Sequence, residues 1–321
     1  MLGNCEHLGP ALNKILHIYL LADAVAFNFS ASQQQLLQSL MPDWTVILLR
    51  NETELMQALP DIEWLDTWRF DETWYAKAPL LKQLFTPAAG RDWIMADPRG
   101  QVSVTHGTFH GPMIAETMLS LMLYFNRQMP NMLALQQRHQ WDRNEQQRSR
   151  LLGSQTALIL GYGSIGETCA RYLTQLGMQV FAYRRSVVTG TDPKSGAVYI
   201  EPHNLKMHLT DADHIILLLP GGSDTHGFMH REYLSLMKPG ACLYNFGRGT
   251  TLLTDDLLWA LNNTGLAGAG IDVTEEEPLP ADNELWDHPN AVVLPHSACI
   301  YADYLTLHCA ELSNSLNCLE G

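Results

Sequence analysis

The run Gly161-Tyr162-Gly163-Ser164-Ile165-Gly166 follows the apolar stretch Ala157-Leu158-Ile159-Leu160. A G-x-G-x-x-G turn between a strand and a helix is suited to hold a pyrophosphate. Gly161 permits the tight turn, Gly163 lets the backbone approach the phosphates, and Gly166 lets the helix pack close to the strand. The helix that opens at Ser164 and Ile165 presents free N–H groups and the positive end of its dipole to an anion. The next strand ends Phe181-Ala182-Tyr183-Arg184-Arg185. A carboxylate there would bind the ribose 2′-hydroxyl of NAD and repel a 2′-phosphate, whereas guanidinium groups bind that phosphate by paired hydrogen bonds. Such charge-assisted bonds are worth about 1.5–3 kcal/mol each. We therefore expect a dinucleotide cofactor, NADP(H) in preference to NAD(H).

Three later segments carry side chains able to do acid–base work. They are Asn245-Phe246-Gly247-Arg248-Gly249, Gly270-Ile271-Asp272 running on to Glu275-Glu276-Glu277-Pro278, and Leu294-Pro295-His296-Ser297-Ala298. Each starts at the end of an apolar run, and open α/β sheets collect ligands at the carboxyl ends of their strands. Taken singly, each residue has a plainer reading. The chain holds 13 histidines, of which His106 and His288 are alternatives to His296. The three glutamates are an acidic run, usually solvated, and Asp272 would cap a turn.

The elements that must position these groups alternate between strand and helix. Strands are expected at 14–21, 45–50 and 62–67, helices at 32–40 and 52–59, and a short helix running into a strand at 78–84. A long apolar helix is expected at 111–127, with Pro112 near its start; its methionines, Met113, Met118 and Met122, read as packing residues. Residues 136–150 are polar and rich in arginine, with Trp141 isolated among them. They read as a surface arm or linker leading into a second domain. Strands follow at 157–160, 179–183, 212–219, 241–245, 267–273 and 291–294. The helices among and after them are at 164–176, 255–262 and 303–319. This alternation predicts parallel sheets covered on both faces, in two domains with a boundary within 100–150. Residues 1–10 read as a loose terminus.

Composition narrows the function. The 321 residues are 46% hydrophobic and 17% charged, with a net charge of −14, which is ordinary globular composition. The acidity argues against nucleic acid or an anionic membrane surface as partner. No apolar run has membrane-spanning length, and the stretch from Ile15 to Phe29 lacks a basic start and a cleavage site. The six cysteines form no C-x-x-C pair, which fits reduced thiols in the cytoplasm. No metalloprotease, P-loop or hydrolase motif is present, and no metal site is expected.

From 151 to 298 the chain resembles the D-isomer-specific 2-hydroxyacid dehydrogenases. The matching motifs are Leu236-Met237-Lys238-Pro239-Gly240-Ala241, Leu266-Ala267-Gly268-Ala269-Gly270-Ile271-Asp272-Val273, Glu276-Glu277-Pro278-Leu279-Pro280 and Leu285-Trp286. Between 80 and 127 the likeness is weaker. There Ala88-Ala89-Gly90-Arg91-Asp92 resembles the family's substrate loop, and Ile114-Ala115-Glu116-Thr117 the start of its interdomain helix. The first 60 residues match only in strand–helix pattern. Ala88 and Cys299 stand where the family more often has glycine, Gly221-Gly222-Ser223 replaces a threonine-proline turn, and the chain stops earlier than many members.

The resemblance implies an α/β fold of two Rossmann-like, doubly wound parallel-sheet domains with an active-site cleft between them. Residues 1–108 and 299–321 would form the substrate domain, and 109–298 the dinucleotide domain. It makes Arg248, Glu277 and His296 the catalytic trio. An arginine holds a carboxylate and polarises a carbonyl. A histidine donates a proton near neutral pH. A carboxylate beside it fixes its tautomer and favours its charged form. By the same resemblance Asp272 lies near the nicotinamide carboxamide, and Leu219, Pro220, Phe246 and Gly247 line the cofactor cleft. The N–H groups of Ala89 and Gly90 would bind the substrate carboxylate together with Arg248 and His296. The implied activity is reversible hydride transfer from NADPH to a small 2-keto acid, glyoxylate or hydroxypyruvate, by a cytoplasmic homodimer. A 3-phosphoglycerate dehydrogenase and a non-catalytic dinucleotide sensor are the alternatives.

Overall fold

The computed structural model describes residues 14–186 and 188–319; the terminus at 1–10 lies outside them. Contacts divide the chain into two units. One runs to Phe109 and resumes at Ile300, and the other is His110–Cys299. The 136–150 segment therefore belongs inside the second unit and does not link the two. Gln136 and Gln137 end a helix that starts at Met129; the rest is irregular apart from a 3-10 turn at Asn144–Arg148, and Trp141 stands 90% exposed.

The first unit begins β1 (Lys14–Tyr19), α1 (Ala31–Leu40), β2 (Trp44–Leu48), α2 (Glu52–Ala58), β3 (Trp64–Thr67), β4 (Gln83–Thr86) and β5 (Ser103–His106). Its sheet has the order β2-β1-β3-β4-β5, with every ladder parallel. Local chemistry sets the helix starts. Ser30 accepts a hydrogen bond from the Gln33 N–H while the Gln33 side chain accepts from the Ser30 N–H, a reciprocal capping box. Asn51 caps α2 by accepting from the Glu54 N–H at 2.9 Å. The short helix expected at 78–84 is absent. Pro79 pushes Ala78 out of the helical region, to φ −118° and ψ 66°, so a 3-10 segment at Glu72–Lys77 ends there. β5 is too short and too polar for its alternation to stand out.

The second unit contains α3 (Gly111–Asn126), α4 (Met129–Gln137), β6 (Thr156–Leu160), α5 (Ser164–Gln175), β7 (Gln179–Tyr183), β8 (Val198–Tyr199), α6 (Leu205–Asp211), β9 (His214–Leu217), α7 (Arg231–Leu236), β10 (Cys242–Asn245), α8 (Thr254–Asn263), β11 (Gly268–Ile271) and β12 (Ala291–Val293). The sheet order is β12-β11-β10-β9-β6-β7-β8, again with parallel ladders. The order reverses at β6 and β9, the switch point at which dinucleotide folds take their ligand. Alternation along β6 makes two cores. Ala157 and Ile159 face Met118, Met122 and Phe125 of α3 and Leu173 of α5. Leu158 and Leu160 face Leu209, Leu234 and Leu257 on the opposite side. Met118 and Met122 are thus fully buried core residues.

The final helix, α9 (Tyr304–Leu319), returns to the first unit and packs on α1. His308 Nε2 meets Asp66 of β3 at 2.7 Å, both buried. Glu311 accepts from the Thr108 N–H at 3.0 Å.

Leu158 is fully buried in the middle of the central strand. Replacing it by alanine leaves a cavity between rigid layers and is expected to cost about 2–5 kcal/mol, measurable as a lower midpoint in urea unfolding.

Candidate active site

The second unit delivers four loops from the carboxyl ends of β6, β10, β11 and β12. In the first, Gly161 has φ +103°, and a Cβ there would lie 2.5 Å from the Leu218 carbonyl. Gly163 precedes α5, no side chain caps that helix, and a Cβ on Gly163 would meet nothing within 4 Å. Gly163 and Ser164 are exposed, Ile165 is half-buried and Gly166 is buried. An uncapped helix start behind open space is a cradle for a phosphate.

Tyr162 turns inward instead. Its hydroxyl donates to Asp192 at 2.7 Å, with Ser195 Oγ at 2.5 Å, all buried. Only its backbone belongs to the phosphate loop. Asp192 and Ser195 anchor that loop from outside the motif, and their irregular segment carries no sequence signal for it.

Arg184 and Arg185 follow β7 directly, with no carboxylate at that strand end. Arg184 is half-buried and forms no ion pair with any described residue. Arg185 pairs with Asp224 at 3.3 Å, both strongly exposed, a contact worth little in solvent.

At the end of β10, Asn245 is fully buried. Its Oδ1 accepts from the Gly247 N–H at 3.1 Å and its Nδ2 donates to the Arg248 carbonyl at 3.2 Å. Thr251 Oγ1 donates to the same carbonyl at 2.7 Å. The flanking glycines serve packing. A Cβ on Gly249 would fall on the Thr274 carbonyl, and one on Gly247 would lie 2.5 Å from the Leu219 oxygen. The glycine-arginine-glycine pattern therefore reflects close approach between neighbouring loops, with no ligand needed to explain it. Leu219 and Phe246 are buried in the two cores and Pro220 is exposed.

Asp272 follows β11 and is 5% exposed. Its carbonyl accepts from the His296 N–H at 2.9 Å, and its Oδ1 accepts from the N–H groups of Ser297 and Ala298 at 2.7 and 3.0 Å. His296 is thereby held at φ +51°. Its Nδ1 lies 2.9 Å from Glu277 Oε2, and Glu277 Oε1 accepts from the Thr274 N–H at 3.1 Å. Glu275 and Glu276 are exposed, and His288 accepts from the Asn290 N–H to shape a turn. The Glu277 hydrogen bond raises the His296 pKa above 6.5, against burial, with help from the charges of Glu277 and Asp272 and opposition from Arg248. Burial alone would push Glu277 up, but His296, the Thr274 N–H and Arg248 outweigh it and bring the carboxyl down. Burial raises Asp272.

Arg248, Glu277 and His296 thus act on one another electrostatically, with Asp272 beside them. Ala89 and Gly90 lie in the first unit, in the loop after β4, with Ala89 exposed. Among the described residues no cluster of three histidine, cysteine or acidic side chains is placed to hold a metal ion, and no helix is long and apolar enough to cross a membrane.

The NAD binding domain of the D-isomer specific 2-hydroxyacid dehydrogenases matches residues 119–298, more than half of the chain. The chain belongs to the D-isomer-specific 2-hydroxyacid dehydrogenases. The dehydrogenase is 31% identical to glyoxylate/hydroxypyruvate reductase A of Serratia proteamaculans over 73% of its own length and 75% of that protein. It is 38% identical to an uncharacterised protein in the proB 3′ region of Corynebacterium melassecola, over 48% of this chain and half of that one. Its fold matches a D-isomer specific 2-hydroxyacid dehydrogenase family protein from Aeromonas salmonicida with a TM-score of 0.80 and 28% identity, covering 96% of both chains. The dehydrogenase is a nicotinamide-dinucleotide-dependent oxidoreductase of two parallel-sheet α/β domains, and the open cradle at Gly163 fits that cofactor.

In an NMR titration the His296 imidazole is expected to change charge above pH 6.5, the ordinary value. In Glu277→Gln, which removes the main raising influence, the midpoint should fall. An unchanged midpoint would show that Glu277 does not hold the proton on the ring.

Proposed function

We propose that the dehydrogenase is an NADPH-preferring reductase of small 2-keto acids, glyoxylate or hydroxypyruvate, working in reverse as a D-2-hydroxyacid dehydrogenase. The observation that carries this reading is the carboxylate-backed His296 beside Arg248 at the carboxyl ends of adjacent parallel strands. The name of the Serratia relative supports the substrate class.

The phosphate loop from Gly161 to Gly166 holds the pyrophosphate, and Arg184, with Arg185, holds the 2′-phosphate. When bound, the reduced dinucleotide supplies the hydride to the keto carbon. Arg248 binds the substrate carboxylate and polarises the carbonyl, which places its fixed charge where negative charge develops. His296 holds a proton on the nitrogen not engaged by Glu277 and gives it to the carbonyl oxygen, so ketone, hydride and proton together give the alcohol. Glu277 fixes the tautomer that leaves this nitrogen outward. Asp272 orients the histidine loop and stands beside the nicotinamide site, with the backbone of Leu219, Pro220, Phe246 and Gly247 at its rim. The loop at Ala89 and Gly90 offers N–H groups for a carboxylate. We assign residues 1–108 and 299–321 to the substrate domain and 109–298 to the dinucleotide domain, and propose a homodimer in the cytoplasm.

A panel of 2-keto acids run with NADPH and NADH tests the reading directly. We expect turnover of glyoxylate and hydroxypyruvate, faster with NADPH. Binding of NADPH without turnover of any keto acid would instead identify a sensor. His296→Asn should lower kcat by about 10²–10⁴ while leaving the NADPH Kd nearly unchanged. Arg184→Asp should reduce kcat/KM with NADPH about tenfold relative to NADH; an unaltered ratio would remove Arg184 from cofactor choice. Reduction consumes a proton from His296, so kcat/KM should be flat below the raised histidine pKa and fall as pH rises through it.

A further inference from the structure

At the other ends of the same strands the second unit has a cavity of about 390 Å³. Gln155 precedes β6, His214 opens β9, and Asn290 precedes β12, while Arg148 and Arg150 reach it from the segment after α4. We propose that this cavity binds a small carboxylate or phosphate anion, at a site separate from the catalytic end of the sheet.

The charges favour an anion. Asp213 is already met by Lys238 at 2.7 Å and by Arg150 at 3.5 Å, and its other oxygen accepts from the Thr156 N–H at 2.9 Å. Glu145 turns to Asn131 at 3.0 Å. Arg148 has no carboxylate partner among the described residues. Among the described residues Arg148 and Arg150 are the charged side chains that line the cavity, in a chain whose net charge is −14. An arginine fork matches the paired oxygens of a carboxylate or phosphate.

The neutral donors point the same way. His214 Nε2 lies 3.3 Å from Gln155 Oε1, an oxygen that only accepts, so the ring donates there and takes the Tyr244 hydroxyl on Nδ1 at 3.1 Å. Burial keeps His214 neutral at physiological pH, its pKa lowered to about 4. With Oε1 occupied, Gln155 is left a carboxamide N–H₂ without a protein partner, on a residue only 7% exposed that lines the cavity. That carboxamide donor lines the cavity, where it can give a hydrogen bond to an anion's oxygen.

Calorimetric titration of the full-length protein with malonate and with inorganic phosphate tests the site. Saturable binding of either is expected, and which one binds identifies the headgroup. The double variant Arg148→Ala, Arg150→Ala should weaken that binding at least tenfold. It should keep its anion-free melting temperature and keep keto-acid reductase kcat/KM within about twofold. Asn290→Asp, which adds a negative charge at the rim, should weaken binding as well. No saturable binding of either anion, or equal affinity in the double variant, would overturn the proposal. Binding lost in Arg248→Ala and kept in the double variant would also overturn it, by placing the anion at the catalytic end and leaving the catalytic reading intact.

Discussion

Asp272 grips the neighbouring strand ends with every polar group it has. Its N–H donates to the Asn245 carbonyl at 3.0 Å, its carbonyl takes the His296 N–H, and its carboxylate takes the two N–H groups that follow. It stands just past β11, the strand between β10 and β12. One buried residue thereby fixes the loop that carries His296 to the strand whose end leads into Arg248. Side-chain positions that must agree to within about half an ångström need this kind of support behind them. The parallel sheet supplies the rest, because all its strands end on the same side and release their loops together.

The glycines beside Arg248 belong to the same constraint. Loops from adjacent strands, about 4.8 Å apart, can lie against each other only where side chains are missing. Gly247 meets Leu219 and Gly249 meets Thr274 without a Cβ between them. Arg248 is thereby kept near enough to Glu277 and His296 to influence both. The Glu277 hydrogen bond and the charges of Glu277 and Asp272 raise the histidine pKa, while burial and the Arg248 charge lower it.

Much of this was legible in the chain because it is local. The phosphate turn, the strand–helix alternation and the proline-framed histidine are short-range patterns, and the folded unit places Arg248, Glu277 and His296 together. Directions of side chains were not legible. Tyr162 sits inside the phosphate motif, yet its ring packs inward because Asp192 and Ser195, about thirty residues on, satisfy its hydroxyl. The burial of Leu219 and Phe246 likewise follows from which face of each strand end meets the core. The 78–84 helix failed on a single proline, and β8, with only two residues, is too short to carry a period. The cavity at Arg148 and Gln155 gathers residues from six separate stretches, which no spacing rule connects.

Magnitudes show that the His296–Glu277 pair adds little to stability. A non-glycine residue in the left-handed region costs about 1–3 kcal/mol. The His296–Glu277 pair is 38% and 40% exposed, and pairs in that setting return about 0–1 kcal/mol. Its contribution also depends on pH from both sides. The raised histidine pKa stabilises the fold fully below 6.5, and this is lost as pH rises through the shifted value. The lowered Glu277 pKa stabilises above 4.5, and this is lost as pH falls through its own shifted value. The full contribution of the pair is therefore confined to the interval between the two ordinary values, and near neutrality it is already declining. The pair does not offset the strain on His296; the buried hydrogen bonds to Asp272 do. Strain held in place by neighbours, on a titratable group with a shifted pKa, is a combination that clusters at functional sites, and it is a ground for the proton-transfer role proposed for His296.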